Sequence, residues 1–332
     1  MSFWDGKRVL VTGGAGFIGS HVVEELLRRS RGARVTVADN FSHGRRINLS
    51  AVAKDVKLVS ADFLLLDDCL KVCRGQDIVL NVAAHVAGVG YNAVHQATMF
   101  RDNMQLSINM MEAARRSKVE RLLVVSSACV YPREAPVPTP ETEGFVGAPE
   151  PTNEGYGWSK RMAEYLGRAY HQEFGMRVAI VRPYNAYGPR DRYNSADSHV
   201  VAALISRIVG GENPVRVWGG GLVSRAFLFV EDAARGMLDV AARYAECDPV
   251  NLGTSEEITM GDLARTIQRL AGSRARLLFD ASKPAGAPRR NCDTTKAREK
   301  AGFVAQVSLE EGLRRSIEWY RRRFRAKIKR GA

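Results

Sequence analysis

Residues 8–20 read RVLVTGGAGFIGS, and this stretch decides the fold. An apolar run of strand length, Arg8–Val11, leads into Gly13, Gly16 and Gly19, and a helical pattern follows. Glycine at these places permits a tight turn, a close approach of backbone N–H groups to a pyrophosphate, and close contact between helix and strand. The stretch therefore predicts a dinucleotide-binding turn.

An acidic residue further along the chain supports this interpretation. Asp39 stands 20 positions after Gly19, at the end of the second predicted strand. In dinucleotide-binding folds a carboxylate here accepts hydrogen bonds from the ribose 2′-OH of NAD and repels the 2′-phosphate of NADP. Arg45 and Arg46 follow soon after and would soften that preference. The sequence favours NAD as the cofactor.

Short apolar runs alternate with helical stretches through the first half of the chain. Continuous apolar runs are typical of parallel strands covered on both faces. The predicted fold is α/β, a doubly wound parallel (Rossmann) sheet with a smaller C-terminal substrate lobe. Residues 1–183 with 226–252 are predicted to form the dinucleotide-binding domain, and residues 184–225 with 253–332 the substrate lobe. The predicted strands are Arg8–Val11, Arg34–Val37, Val56–Val59, Ile78–Val82, Arg121–Val125 and Val178–Val181, and the helices include His21–Arg29 and Asn103–Arg116.

Composition excludes several classes of protein. The 332 residues are 45% hydrophobic and 26% charged, which is typical of a globular protein. No run approaches the roughly 18 apolar residues of a membrane span, so a cytoplasmic protein is predicted. The five cysteines show no paired CxxC spacing, so no metal site or disulfide framework is expected, and Cys69 and Cys73 are interpreted as buried thiols.

The net charge of +13 is partly concentrated in the last predicted helix. Such a run is compatible with nucleic-acid binding, but it is more often a solvated helix face, and no recognition motif accompanies it. A substrate that carries a diphosphate explains a positive protein equally well, so nucleic acid is not predicted as a partner. The basic residues are Arg314, Arg315, Arg321, Arg322, Arg323, Arg325, Lys327, Lys329 and Arg330.

A candidate catalytic set flanks a proline-rich loop, residues 132–151. Ser127 follows the fifth predicted strand, and Tyr156 and Lys160 open the helix that follows the loop. A spacing of four places Tyr156 and Lys160 on one helix face. The ammonium, together with an oxidised nicotinamide, is expected to lower the tyrosine pKa from about 10, which suits proton transfer coupled to hydride transfer.

With these motifs the sequence resembles the extended short-chain dehydrogenase/reductase family, in its nucleotide-sugar epimerase branch, over nearly the whole chain. SSACVYP (126–132), PTNEGY (151–156), SADSHVV (195–201) and SKPAGAPR (282–289) are similar to the GDP-L-fucose synthases. NVAAHVAGVGY (81–91) and RNCD (290–293) are similar to the GDP-mannose 3,5-epimerases. Both groups act on carbons that flank a transient 4-keto group.

The resemblance implies roles for individual residues. Ser127, Tyr156 and Lys160 would carry the redox step, and Cys129 and His199 would form an acid–base pair; the 3,5-epimerases share only the cysteine. The other histidines are interpreted as structural. The implied cofactor contacts are Gly13, Gly16, Phe17, Ile18, Gly19, Asp39, Asn40, Asp62, Phe63, Ala83, Asn103, Tyr156 and Lys160, and the implied substrate contacts are Asn185, Arg207, Arg225 and Arg289 or Arg290.

The sequence thus predicts an NAD-dependent nucleotide-sugar epimerase that inverts C3, C5 or both, with GDP-mannose or a related GDP-hexose as favoured substrate. An NADPH-dependent epimerase-reductase of the fucose synthase type and a plain 4-epimerase remain open. A 4,6-dehydratase is disfavoured, because Ala128-Cys129 stands where that group has Asp-Glu. A non-catalytic NAD-binding scaffold is opposed by the complete catalytic set. The resemblance also implies a homodimer through the helices around Asn103–Arg116 and Glu154–Phe174.

Overall fold

The computed structural model describes residues 2–86, 88–193, 195, 198–282 and 288–324. Parts of three quoted motifs (residues 87, 196–197 and 283–287) and the basic residues Arg325, Lys327, Lys329 and Arg330 lie outside the described residues.

The described part of the chain forms fourteen strands and ten α-helices. The strands are β1 (Arg8–Thr12), β2 (Arg34–Asp39), β3 (Val56–Ser60), β4 (Ile78–Asn81), β5 (Arg121–Val125), β6 (Val178–Pro183), β7 (Ala186–Tyr187), β8 (Val215–Trp218), β9 (Ser224–Ala226), β10 (Leu228–Phe229), β11 (Val250–Leu252), β12 (Glu257–Thr259), β13 (Leu277–Asp280) and β14 (Arg289–Arg290). The helices are α1 (Phe17–Arg29), α2 (Leu66–Cys73), α3 (Val89–Val94), α4 (Gln96–Arg116), α5 (Glu154–Phe174), α6 (Val200–Val209), α7 (Val230–Arg243), α8 (Met260–Leu270), α9 (Thr295–Ala301) and α10 (Leu309–Arg323).

The central sheet has seven parallel strands in the order β3-β2-β1-β4-β5-β6-β11. The strand order reverses between β1 and β4, and ligands of doubly wound sheets bind at the carboxyl ends of strands flanking such a point. The predicted fold class is confirmed. The observed β2 extends two residues beyond the prediction and ends on Asp39 itself.

Helices cover both faces of this sheet, as the continuous apolar strands require. The core on one face joins the strands to α1 and α7, and the core on the other face joins them to α2, α4 and α5. Cys69 and Cys73 are fully buried in the second core, as predicted.

A third core lies in the C-terminal half, where β8, α6, α8 and α10 pack together. Helix α9 packs instead on α7 and β11, with Ala297, Ala301 and Phe303 in the first core. Residues 295–303, which the sequence assigned to the substrate lobe, therefore share the core of the Rossmann sheet. The division into two lobes stays a prediction.

Part of the basic face of α10 is paired with neighbouring carboxylates. Arg314 forms ion pairs with Glu311 and Glu318, and Arg315 forms ion pairs with Glu311 and Glu231. Charges spaced three and four residues apart on a helix face meet in this way. None of the described helices combines the length and apolar character that a bilayer crossing requires.

Candidate active site

The glycine turn between β1 and α1 has the geometry of an anion cradle. Gly13 has φ +63°, and a Cβ there would lie 2.8 Å from the Cα of Ala83. A Cβ at Gly19 would overlap the carbonyl oxygen of Gly13. Gly16 precedes α1 without any side-chain cap, so the first backbone N–H groups of α1 are available to a ligand. These residues fit the pyrophosphate of a dinucleotide.

Asp39 lies beside this turn at the end of β2. Its Oδ2 accepts a hydrogen bond from the N–H of Ala15 (3.0 Å) and its Oδ1 from the N–H of Phe41 (2.8 Å). A carboxylate oxygen can accept a further hydrogen bond, so both keep capacity for a ribose hydroxyl. Burial raises the pKa of Asp39. The guanidinium of Arg46 lies over the Phe41 ring, 4.5 Å from its centroid.

Two of the other implied cofactor residues, Ala83 and Asn103, lie near the carboxyl end of β4. The N–H of Ala83 donates to Thr12 Oγ1 (3.2 Å), which ties the ends of β1 and β4 together. Asn103 holds the segment after β4, because its side chain accepts from His85 N (3.0 Å) and donates to His85 O (3.0 Å) and Met99 O (2.9 Å). The side chain of Asn103 therefore orders the segment that follows β4.

Asp62 and Phe63 lie in the turn after β3. Asp62 accepts from the N–H of Leu64 (3.1 Å), and Phe63 is buried in the second core with its carbonyl accepting from Asn109 Nδ2 (3.0 Å). Their implied contact with a cofactor stays a prediction, as do those of Phe17, Ile18 and Asn40.

Ser127, Cys129, Tyr156 and Lys160 meet at the carboxyl end of β5. Ser127 opens the 3₁₀ turn 128–130, and its Oγ accepts from the N–H of Cys129 (3.1 Å). Lys160 Nζ donates to the carbonyl of Val125 (2.9 Å) and lies 5.4 Å from the centroid of the Tyr156 ring. Cys129 is half-buried and close enough to Tyr156 and Lys160 to influence both electrostatically.

Burial dominates the electrostatics of this cluster. Burial, with a smaller contribution from Cys129, raises the pKa of Tyr156, although the Ser127 hydroxyl acts in the opposite direction. Burial also lowers the pKa of Lys160 to about 8. In the protein by itself, loss of hydration is the main influence on the tyrosine pKa. The expected lowering by the ammonium together with an oxidised nicotinamide stays a prediction.

His199 lies immediately before α6 and is paired with a carboxylate that the sequence reasoning missed. Its Nδ1 lies 2.9 Å from Oδ1 of Asp191, whose side chain is almost fully buried, whereas the imidazole is 46% exposed. Asp191 raises the pKa of His199. A carboxylate on Nδ1 fixes the tautomer and leaves Nε2 for proton exchange. An aspartate eight residues before a candidate acid–base histidine was the available signal.

We expect Asp191→Asn to lower the pKa of His199 toward its ordinary value near 6.5, because the amide removes the negative charge that stabilises the imidazolium. A ¹H–¹⁵N NMR titration, with the resonance assigned from a His199→Asn variant, measures this shift. An unchanged His199 titration in Asp191→Asn would contradict the pairing.

Two of the predicted diphosphate ligands lie side by side. Arg225 on β9 is in register with Arg290 on β14, and burial together with Arg290 lowers the pKa of Arg225 to about 10. Among the residues that the structure describes, neither forms an ion pair. Arg289 is exposed and forms an ion pair with Glu257 (2.8 Å). Of the two alternatives left open by the sequence, Arg290 is the better placed to bind an anion with Arg225.

Asn185 and Arg207 both form hydrogen bonds with other residues of the chain. Asn185 has φ +33°, a strained value for a residue other than glycine, and its Nδ2 donates to Ala226 O (2.8 Å). Arg207 binds Glu212 through Nε (2.8 Å) and donates from Nη1 to the carbonyl of Arg216 (2.7 Å). Their contact with substrate stays a prediction.

A buried ion pair beneath the catalytic cluster was also missed by the sequence reasoning. Arg182 on β6 binds Glu164 on α5 with two hydrogen bonds, of 2.9 and 2.7 Å, and donates to the Tyr131 hydroxyl (2.9 Å). Arg182 is 1% exposed and Glu164 is fully buried. A charged residue inside the apolar strand VAIVRP was the available signal, since such residues are seldom buried unless paired.

The chain is similar to known proteins over most of its length. The sequence profile of the NAD dependent epimerase/dehydratase family matches residues 9–253. A GDP-L-fucose synthase of Sinorhizobium fredii is 32% identical over 322 residues, covering 96% of each chain. GDP-mannose 3,5-epimerase 1 of Oryza sativa subsp. japonica is 30% identical over 323 residues, covering 96% of this chain and 83% of that protein.

A solved structure shares the fold over nearly the full length. UDP-glucose 4-epimerase from Thermotoga maritima, determined with UDP-glucose, superposes with a TM-score of 0.87 at 28% identity and covers 96% of this chain and 99% of that one.

The chain belongs to the NAD dependent epimerase/dehydratase family, and the predicted membership of the extended short-chain dehydrogenase/reductases is confirmed. It is an enzyme of that family, whose members bind NAD(P) cofactors and act on nucleotide sugars.

Proposed function

We propose that the protein is an NAD-dependent nucleotide-sugar epimerase that inverts C3, C5 or both through a transient 4-keto sugar, with GDP-mannose or a related GDP-hexose as substrate. The observation that carries the proposal is the position of Cys129, half-buried beside Tyr156 and Lys160. A redox step at C4 alone leaves a thiol at this place without a role. The names of the GDP-sugar relatives support the choice of nucleotide.

Each residue of the cluster has a distinct task. Tyr156 accepts the proton of the C4 hydroxyl, the Ser127 hydroxyl binds the same oxygen, and Lys160 stabilises the phenolate. NAD, held by the turn at Gly13 and by Asp39, would supply the hydride acceptor and donor at C4. The redox change is therefore reversed before release, and the overall reaction is an isomerisation.

Inversion at a neighbouring carbon needs two proton-transfer groups. The C4 carbonyl makes the protons on C3 and C5 acidic, so a base removes one proton and an acid returns one to the opposite face. We assign these tasks to Cys129 and His199. The Asp191 carboxylate suits His199 to proton donation, because it favours the imidazolium.

The pair Arg225 and Arg290 is assigned to the diphosphate of the substrate. Among the described residues these two half-buried guanidinium groups form no ion pair, and a diphosphate that binds between them would stabilise both.

The discriminating experiment is a panel of nucleotide sugars incubated with enzyme and NAD in D₂O, analysed by mass spectrometry and NMR. We expect a GDP-hexose to gain solvent deuterium at C5, C3 or both and to appear as an epimer. Inversion at C4 without exchange at the neighbouring carbons would contradict the proposal and favour a 4-epimerase.

An NADPH-dependent epimerase-reductase is the second candidate, favoured by the full-length similarity to the fucose synthase. It would consume NADPH with a GDP-4-keto-6-deoxy sugar, which a fall in absorbance at 340 nm detects. Asp39 opposes it, because a carboxylate disfavours the 2′-phosphate.

The protein is expected to bind NAD at least about tenfold more tightly than NADP, because Asp39 favours a free 2′-hydroxyl and repels a phosphate. Asp39→Ala should reduce the difference between the affinities for NAD and NADP. Isothermal titration of both cofactors measures it, and equal affinities in the wild type would overturn the assignment of NAD.

A homodimer through α4 and α5 is also proposed. The two helices pack on each other and carry exposed apolar side chains, among them Phe100, Ile108 and Tyr165, which are 39, 41 and 59% exposed. Light scattering is expected to give about twice 36.6 kDa, and Ile108→Glu to lower that mass. A monomeric wild type would exclude the dimer. Cytoplasmic location stays a prediction from the sequence.

A further inference from the structure

We propose that Glu164, paired with Arg182, is a positioning residue that fixes the place and charge of the Lys160 ammonium. The inference rests on the proposed function, in which Lys160 serves the redox step.

Glu164 is joined to the chain segment that carries the catalytic cluster through Ser126, the residue before Ser127. Its carboxylate accepts a hydrogen bond from the Ser126 hydroxyl as well as two from Arg182. The neighbouring carbonyl, that of Val125, accepts from Lys160 Nζ (2.9 Å), and Ser127 follows directly. Glu164 therefore anchors the end of β5 at the place where Lys160 is bound.

Arg182 is held firmly on its other side. Its Nη1 donates to the Tyr131 hydroxyl (2.9 Å) and to the carbonyl of Glu141 (2.7 Å), and a Cβ at Gly144 would overlap the guanidinium. These contacts prevent Arg182 from moving away from Glu164. The carboxylate of Glu164 is accordingly held stationary.

Stability alone does not explain such a pair. Desolvation of two charges commonly offsets their attraction, and apolar residues of similar volume often serve as well. Glu164 lies one helical turn from Lys160 on α5, which places the negative charge of its carboxylate near an ammonium that has lost its hydration. That negative charge favours the protonated form of Lys160.

The ionisable groups around Lys160 and Glu164 lie on three elements. Tyr156 and Glu164 lie on its own helix, Cys129 lies on the turn after β5, and Arg182 on β6 together with Arg161 on α5 lies against Glu164. Burial lowers the pKa of Lys160, whereas Cys129 and Glu164 raise it. Removing the carboxylate while Arg182 remains therefore lowers the pKa of Lys160 further.

The test is the titration of Lys160 in the full-length protein, followed by NMR with [ε-¹³C]lysine and assigned from a Lys160→Arg variant. The variants are Glu164→Gln and the double variant Glu164→Gln/Arg182→Met, which removes both charges. Asp232→Asn is the matched control, because Asp232 is also a buried carboxylate that binds an arginine, Arg235, far from Lys160.

We expect Glu164→Gln to lower the pKa of Lys160 by about 1 unit and the double variant to restore at least half of that shift. Asp232→Asn should leave it unchanged. If Glu164 served folding alone, the pKa of Lys160 would instead differ more from the wild-type value in the double variant than in Glu164→Gln. The inference would be overturned if Glu164→Gln left the pKa of Lys160 unchanged, or if the double variant lowered that pKa further than Glu164→Gln does.

If Glu164→Gln does not fold, Glu164→Asp replaces it, since it keeps the charge but withdraws it by one methylene. A smaller downward shift is then expected, and no shift would overturn the inference. The titration needs no substrate, so its outcome is independent of turnover. If the proposed function is wrong, variants of Tyr156 or Lys160 would instead show normal turnover.

Discussion

Tyr156→Phe should reduce the conversion of a nucleotide sugar at least about 10²-fold, because oxidation at C4 needs a group that accepts the hydroxyl proton. Phenylalanine retains the ring that packs beside Lys160 and removes only the hydroxyl. Product formation, followed by NMR with saturating cofactor, measures the loss.

Tyr170→Phe is the matched control. Tyr170 lies on the same helix α5, but its hydroxyl binds Glu112 (3.1 Å) on α4, away from the catalytic cluster. We expect this variant to turn over at close to the wild-type rate. A Tyr156→Phe enzyme that is as active as Tyr170→Phe would assign the redox step to other residues.

The second large effect separates epimerisation from redox chemistry. Cys129→Ser and His199→Asn should each lose about 10²- to 10⁴-fold in epimer formation, the range for loss of a proton-transfer group. Both variants should still bind NAD and oxidise C4, because Ser127, Tyr156 and Lys160 are intact. Deuterium incorporation from D₂O and the NAD reduction half-reaction are measured side by side.

Cys247→Ser and His171→Asn are the matched controls, because they make the same substitutions at a cysteine and a histidine elsewhere in the chain. Cys247 is buried against the carbonyl of Gly167, and His171 binds the carbonyl of Met176 (2.8 Å), so neither belongs to the cluster. Normal exchange and inversion in Cys129→Ser would return Cys129 to a packing role. A 4-epimerase would then be the better hypothesis.

The sequence alone determined the fold class and the dinucleotide turn. Both depend on local patterns: apolar runs of strand length report burial on two faces, and Gly13 and Gly19 stand where a side chain would collide with backbone. The juxtaposition of Tyr156 and Lys160 could be predicted for the same reason, because helical spacing places both residues on one face. These features need no knowledge of which distant segments meet.

Tertiary structure decided the electrostatics of the site. The pairing of His199 with Asp191 depends on a loop fold that no periodicity encodes, and the pairing of Glu164 with Arg182 joins a helix to a strand of the sheet. Burial raises the pKa of Tyr156 in the protein by itself, and the cost of desolvation is set by the surrounding packing rather than by sequence neighbours.

The same holds for the candidate diphosphate ligands and for α9. Arg289 and Arg290 are adjacent in the sequence, yet the register of β14 on β9 places Arg290 beside Arg225 while Arg289 forms an ion pair with Glu257. Helix α9 packs on the Rossmann core because its apolar face meets α7. Contacts between segments far apart in the chain are selected by the whole packing arrangement, so only the folded structure reveals them.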